Sequence, residues 1–208
     1  MSNVDEFTIN TPNKNRAKKF TFTDDQTKAY NGLIKFINEP YNPKDFKRAL
    51  IGPGGTGKTF LLKALLQDCN IPFSEIGLSA PSHKACRVLK NSIRGTHCNV
   101  NTIQSDFGFK PNYDIEKFDI NNVTFASYGR IKIEDYRLYI VDESSMLNRS
   151  LVTYIDNMMK KYSIKLILCG DDAQIPPVNE KDSYAFKGVT SFRLTQIVRQ
   201  DEDNPIRK

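Results

Sequence analysis

Along residues 23–38 the apolar side chains Tyr30, Leu33, Ile34 and Ile37 recur at helical spacing, and Glu39-Pro40 closes the run. Thr23 and Gln26 stand just ahead of them as T-x-x-Q, which predicts a capping box at the start of this helix. Four short apolar runs follow, at residues 49–51, 73–79, 138–141 and 164–169, each ending in a polar or glycine-rich turn. Helical spacing returns between them over residues 60–67, 84–90 and 151–160. Strands that alternate with helices predict an α/β fold, a parallel sheet covered by helices on both faces. In such sheets ligands collect beyond the carboxyl ends of the strands, so the turns after the apolar runs are where chemistry is expected.

Residues 107–135 break this rhythm. Pro111, Asn112, Asn121-Asn122 and Gly129 punctuate the stretch, and extended-looking segments at 123–128 and 130–133 predict a β-hairpin inserted into the α/β core. Residues 20–106 and 136–208 are then expected to form one domain. Residues 1–19, rich in Asn, Lys and Thr and without a period, read as a flexible leader.

Composition narrows the picture only a little. A chain of 208 residues with 39% hydrophobic content can bury one substantial core. It has no run of 18 apolar residues and no apolar stretch near its start, which predicts a cytoplasmic protein without membrane contact. Cys69, Cys86, Cys98 and Cys169 lack a paired C-x-x-C spacing, so free thiols in a reducing compartment are expected. The group His83, Cys86, His97 and Cys98 matches no zinc spacing. A net charge of +6 suits polyanionic partners but does not decide for them.

The turn after residues 49–51 carries the most specific signal. Gly52-Pro53-Gly54-Gly55-Thr56-Gly57-Lys58-Thr59 follows a strand and opens a helix, the context required of a phosphate loop. Backbone N–H groups freed by glycine close around phosphates, the helix N-terminus adds partial positive charge, and Lys58 reaches the terminal phosphates. The run at 138–141 delivers Asp142 and Glu143, one to hold the Mg2+ that Thr59 also ligates and the other to take a proton from attacking water. Asp142 is assigned to the metal and Glu143 to the base. After residues 164–169, Gln174 in Gly170-Asp171-Asp172-Ala173-Gln174-Ile175-Pro176-Pro177-Val178 offers an uncharged amide that can bond a γ-phosphate oxygen and lose it on hydrolysis.

The set GPGGTGKT, APSHKA, VDESSM, GDDAQIPPV and LTQIVRQ, in this order over residues 20–200, resembles motifs I, Ia, II, III and IV of superfamily 1 helicases. Within them it looks most like the 5′-to-3′ branch that includes the RecD and Dda helicases. The resemblance implies a RecA-like motor domain that binds ATP and Mg2+. It implies that Gln26 reads adenine and that Arg199 touches the γ-phosphate. Pro81, Ser82, His83 and Lys84 would grip the backbone of single-stranded DNA, with Thr102 and Gln104 as the next contact, although this branch often has His where this chain has Gln104. The inserted hairpin resembles a strand-separating pin, on which Phe118, Phe125 or Tyr128 would stack on bases; Phe125 is the one carried forward as a DNA contact. Helicases of this kind close their ATP site with a second RecA-like domain, expected to be absent from this chain. The implied partners are therefore single-stranded DNA, duplex forks and that second domain, and the implied state is a monomer.

Three other readings stay open at this point. One is a P-loop ATPase that acts as a nucleotide switch or on RNA. Another is a non-catalytic single-strand-binding module, against which the intact Lys58, Thr59, Asp142, Glu143 and Gln174 stand. The last is a small-molecule kinase, which leaves GDDAQIPPV unexplained.

Overall fold

Thr23 ends an extended backbone and starts helix α1 (Asp24–Asn38), as the T-x-x-Q pattern predicts. The Thr23 backbone N–H donates to Gln26 Oε1 at 3.1 Å, and the Gln26 N–H returns a bond to the Thr23 hydroxyl at 3.4 Å. The computed structural model describes residues 21–109, 130–174 and 183–198. Behind α1 lie strands β1 (Lys47–Ile51), β2 (Ile76–Ala80), β3 (Asn99–Thr102), β4 (Leu138–Val141), β5 (Lys165–Gly170) and β6 (Thr190–Arg193). They form one sheet in the order β3-β2-β4-β5-β1-β6, and every pairing is parallel. Helices α2 (Lys58–Asp68), α3 (His83–Ser92), α4 (Ile103–Asp106) and α5 (Arg149–Lys161) complete the regular elements described here. This is the RecA-like, helix-covered parallel sheet expected from the alternation of apolar runs.

The two-residue alternation of a strand divides the core into two layers. On one face Leu138, Ile140, Ile167 and Cys169 pack with Leu33, Leu61, Leu65 and Leu89 of α1, α2 and α3. On the other, Tyr139, Val141, Leu166 and Leu168 pack with Leu151, Ile155 and Met159 of α5. Burial on both faces explains why β4 and β5 read as unbroken apolar runs. The central strands are thus fixed in register, and the turns at their carboxyl ends inherit fixed positions.

Several boundaries differ from expectation. The run at 73–79 begins as a 3-10 turn, Phe73–Glu75, and only Ile76 onward joins the sheet. Strands β3 and β6 lie at the two edges, and their short sequences NVNT and TSFR carry no apolar run to announce them. At the inserted segment, residues 130–133 are not the expected extended arm. Ile133–Asp135 is a 3-10 turn, and Ile133 and Tyr136 are buried with Phe107 against Tyr139. The chain returns to the core there because Ile133 is a core side chain, not an exposed one of a hairpin. The remainder of the predicted hairpin, residues 110–129 with Phe118, Phe125 and Tyr128, lies outside the described residues, as do residues 1–20.

Two buried charged groups anchor the frame. Lys165, 5% exposed, donates from Nζ to the carbonyls of Phe36 (2.6 Å) and Ile37 (2.8 Å) and to that of Glu39, so it caps the C-terminus of α1 from inside the sheet. Desolvation holds its ammonium below the ordinary lysine range. Asp106, fully buried, accepts from the Tyr139 hydroxyl and the Asn101 amide, each at 2.9 Å. Burial pushes its carboxyl up to about 6, against the opposing effect of those bonds and of Lys132.

Candidate nucleotide site and nucleic-acid edge

The phosphate loop leaves β1 and turns into α2, where Gly57 takes the left-handed N-cap position at φ 83° and ψ 22°. A Cβ on Gly57 would sit 2.5 Å from Gln26 Nε2, and one on Gly52 would sit 2.5 Å from the Leu194 carbonyl oxygen. Glycine is therefore demanded twice over, by backbone conformation at Gly57 and by close approach at both. Thr56 is buried and donates its hydroxyl to the Pro53 carbonyl at 2.9 Å, which folds the loop on itself. Pro53, Gly54 and Gly55 are exposed. Lys58 donates from Nζ to the carbonyls of Gly52 (2.5 Å) and Pro53 (3.2 Å), so its ammonium lies against the loop it is expected to serve. Thr59 follows it in the first turn of α2, half-buried.

Asp142 and Glu143 leave the end of β4. Burial raises the Asp142 carboxyl above its usual range and the neighbouring Glu143 charge adds to this, while the Glu143 N–H bond at 3.0 Å and the Lys58 charge oppose it. Glu143 itself adopts the left-handed conformation, φ 53° and ψ 36°, uncommon for a residue with a side chain. The turn is fixed by the Ser144 hydroxyl, which donates to the Val141 carbonyl at 2.7 Å. Next in the sheet, the Gly170 carbonyl at the end of β5 accepts from Gly52 N–H at 3.1 Å. Gln174 is exposed, and its Oε1 accepts from the Ser145 hydroxyl at 3.1 Å. The amide expected to sense the γ-phosphate is thereby tied to the turn that carries the two carboxylates.

Gln26 is 1% exposed, and besides accepting from Thr23 it donates from Nε2 to the Thr56 carbonyl at 2.8 Å. These bonds occupy one lone pair and one N–H of the amide and leave a second of each. The segment after β6 closes the ring: Leu194 N–H donates to Ile51 and Val198 N–H to Gly55, at 2.7 and 3.1 Å. Arg199 itself lies outside the described residues.

At the other side of the sheet β2 and β3 end together, with Ala80 paired to Thr102. Pro81 is buried, and Ser82 caps α3 through its hydroxyl, which accepts from Ala85 N–H at 3.2 Å. Ser82, His83 and Lys84 are exposed on the first turn of α3. Thr102 is 6% exposed and its hydroxyl caps α4, accepting from Ser105 N–H at 3.3 Å, while Gln104 is half-buried. The structure thus brings the two predicted DNA motifs together but turns Thr102 inward. Sequence reasoning missed Asp25, which sits beside Gln26, and gave Ser145 no role of its own although it lies inside VDESSM.

Residues 35–208 match the family described as AAA domain. The chain belongs to this family. Among curated relatives, an uncharacterized protein of Acanthamoeba polyphaga mimivirus is 28% identical over 195 residues, covering 85% of this chain and 38% of that protein. The ATP-dependent DNA helicase Pif1 of a Psychrobacter species is 24% identical over 150 residues, covering 66% of this chain and 21% of the helicase. Two crystal structures of Pif1 helicase from Bacteroides share the fold at 22% identity. One, with ADP-AlF4, has a TM-score of 0.58 over 88% of this chain and 44% of that one. The other, with ADP-AlF3 and single-stranded DNA, has a TM-score of 0.56 over 89% and 44%. The chain spans less than half the length of each of these relatives. The solved structures share the RecA-like fold read from the motifs, a parallel sheet covered by helices. Among the described residues no helix is long and apolar enough to cross a membrane.

Proposed function

We propose that this AAA domain is the first motor domain of an ATP-dependent DNA helicase, hydrolysing ATP in response to single-stranded DNA. The observation that carries the reading is the convergence on one sheet edge of the phosphate loop, the Asp142-Glu143 turn and Gln174, joined by the Gly52–Gly170 and Ser145–Gln174 bonds. Residues 52–59 hold the phosphates, and Lys58 exchanges its loop carbonyls for phosphate oxygens. Glu143 accepts a proton from water attacking in line with the γ-phosphate. Arg199 stabilises the developing charge, being one residue beyond a backbone bond to the phosphate loop.

Asp142 and the Thr59 hydroxyl fit Mg2+, a hard cation that takes one or two carboxylates and completes its shell with phosphate oxygens and water. A cation there would also offset the burial, and the lesser effect of the Glu143 charge, that raise Asp142. When bound, it neutralises charge on the phosphates. Ser82, His83 and Lys84 hold the DNA backbone, and travel runs 5′ to 3′. A second RecA-like domain in the same protein would close the site and supply coupling.

The deciding measurement is steady-state ATP hydrolysis with and without single-stranded DNA or RNA, with Lys58→Ala as the blank. Stimulation by DNA that disappears in the variant supports a DNA-dependent motor. A rate indifferent to DNA removes the helicase reading and favours a nucleotide switch.

A further inference from the structure

Asp25 sits in the first turn of α1, beside Gln26, and no step above uses it. Its Oδ2 accepts from the backbone N–H groups of Thr195 (2.6 Å) and Gln196 (2.9 Å) and from the Thr195 hydroxyl (3.4 Å). Its Oδ1 accepts from the Gln26 N–H at 2.8 Å and from the Thr23 hydroxyl. Burial by itself would raise this carboxyl, but the bonds from Thr23, Gln196, Thr195 and Gln26 outweigh it and leave Asp25 below the usual carboxylate range. Two consecutive backbone N–H groups on one ionised oxygen make a charge-assisted grip, stronger and more directional than a neutral pair.

The gripped segment is short and held at both ends. Leu194 N–H is bonded to Ile51 at its start, and Val198 N–H is bonded to Gly55 of the phosphate loop at its finish. Leu194 is fully buried and anchors the start of this stretch, whereas residues 195–198 are exposed, so side-chain packing contributes little beyond Leu194. Asp25 supplies the fixing point between the two backbone bonds.

We infer that Asp25 is a positioning residue that fixes segment 194–198 across the phosphate loop and so sets where Arg199 begins. The inference rests on the proposed contact between Arg199 and the γ-phosphate. Its rival is that Asp25 only complements the N-terminus of α1. Asp24 is exposed in the same turn, and no bond from it to the segment is described, so it separates the two roles.

The test compares affinities for Mg·ADP and for Mg·ADP with aluminium fluoride, a mimic of the phosphoryl group in transfer. For Asp25→Ala the fluoride complex should weaken by about tenfold and ADP by less than about threefold, with melting within about 4 °C of Asp24→Ala. Asp25→Asn keeps one carbonyl acceptor and should fall between wild type and alanine, and it carries the test if the alanine variant does not fold. Asp24→Ala should leave both affinities unchanged. Arg199→Ala should reproduce the selective loss, and adding Asp25→Ala to it should cost nothing further. If Arg199→Ala is selective and the Asp25 variants behave like Asp24→Ala, or weaken both ligands equally, the positioning role is overturned and the arginine's role survives. If Arg199→Ala shows no selectivity, the contact itself falls and the inference falls with it.

Discussion

The two ends of this sheet's carboxyl edge are built on different principles. At the nucleotide end, the phosphate loop is held through its own backbone groups: Gly52 N–H to Gly170, the Gly55 carbonyl to Val198 N–H, and the Thr56 carbonyl to the Gln26 side-chain amide. At the β2–β3 end, the exposed groups are the side chains Ser82, His83 and Lys84, while behind them the buried Asp106 ties Asn101 of β3 to Tyr139 of β4. A site that must match a phosphate chain to within a fraction of an ångström gains from a rigid backbone cradle. A site that tracks a charged polymer of any sequence needs reach and charge more than rigidity.

The sharpest way to break this contrast is Lys58→Ala, which should weaken ATP binding about a hundredfold, read by nucleotide titration, because it removes the loop's own cation. An effect below threefold would mean the backbone cradle suffices alone. Next is the support behind the other end. A folded-state value near 6 for Asp106, above its unfolded 3.8, gives stability that is full below pH 3.8 and is lost as pH rises through about 6. Asp106→Asn should remove that slope, gaining on the order of 2 kcal/mol relative to wild type between pH 4 and 7 in thermal melts. A parallel pair of pH curves would show that the carboxyl does not titrate there.

Gln26→Ala should weaken ATP and GTP alike by about tenfold, as expected for a brace on the loop. A loss confined to ATP would support the adenine-reading role instead. The smallest effect is expected at Lys84→Ala, where the slope of log affinity for single-stranded DNA against log salt should shallow by about 0.7, one phosphate contact. No change in slope would move the DNA off the start of α3.

What could be read from the sequence follows the same division. The helix start at Thr23, the loop at 52–59 and the buried strands β4 and β5 are encoded by local patterns, and each stands where expected. The edge strands escaped because a strand paired on one side, in polar surroundings, needs no apolar run; NVNT and TSFR look like loop. The grip of Asp25 on Thr195 spans 170 positions, and no local spacing records it. Gln26 shows the subtler limit: one residue satisfies two sequence patterns, cap and base reader, and the geometry bears out the cap and adds a bond to Thr56 that neither pattern records.

One bond closes the root of the inserted segment. Lys132 N–H meets the Asp106 carbonyl at 2.9 Å, so the chain leaves the core near Phe109 and re-enters it at almost the same point. Because the ends are already closed, doubling the length between them would cost only about 0.6 kcal/mol in chain entropy. The core therefore works as a socket. A segment of different length between Phe109 and Lys132 would leave the pairing of the six strands undisturbed.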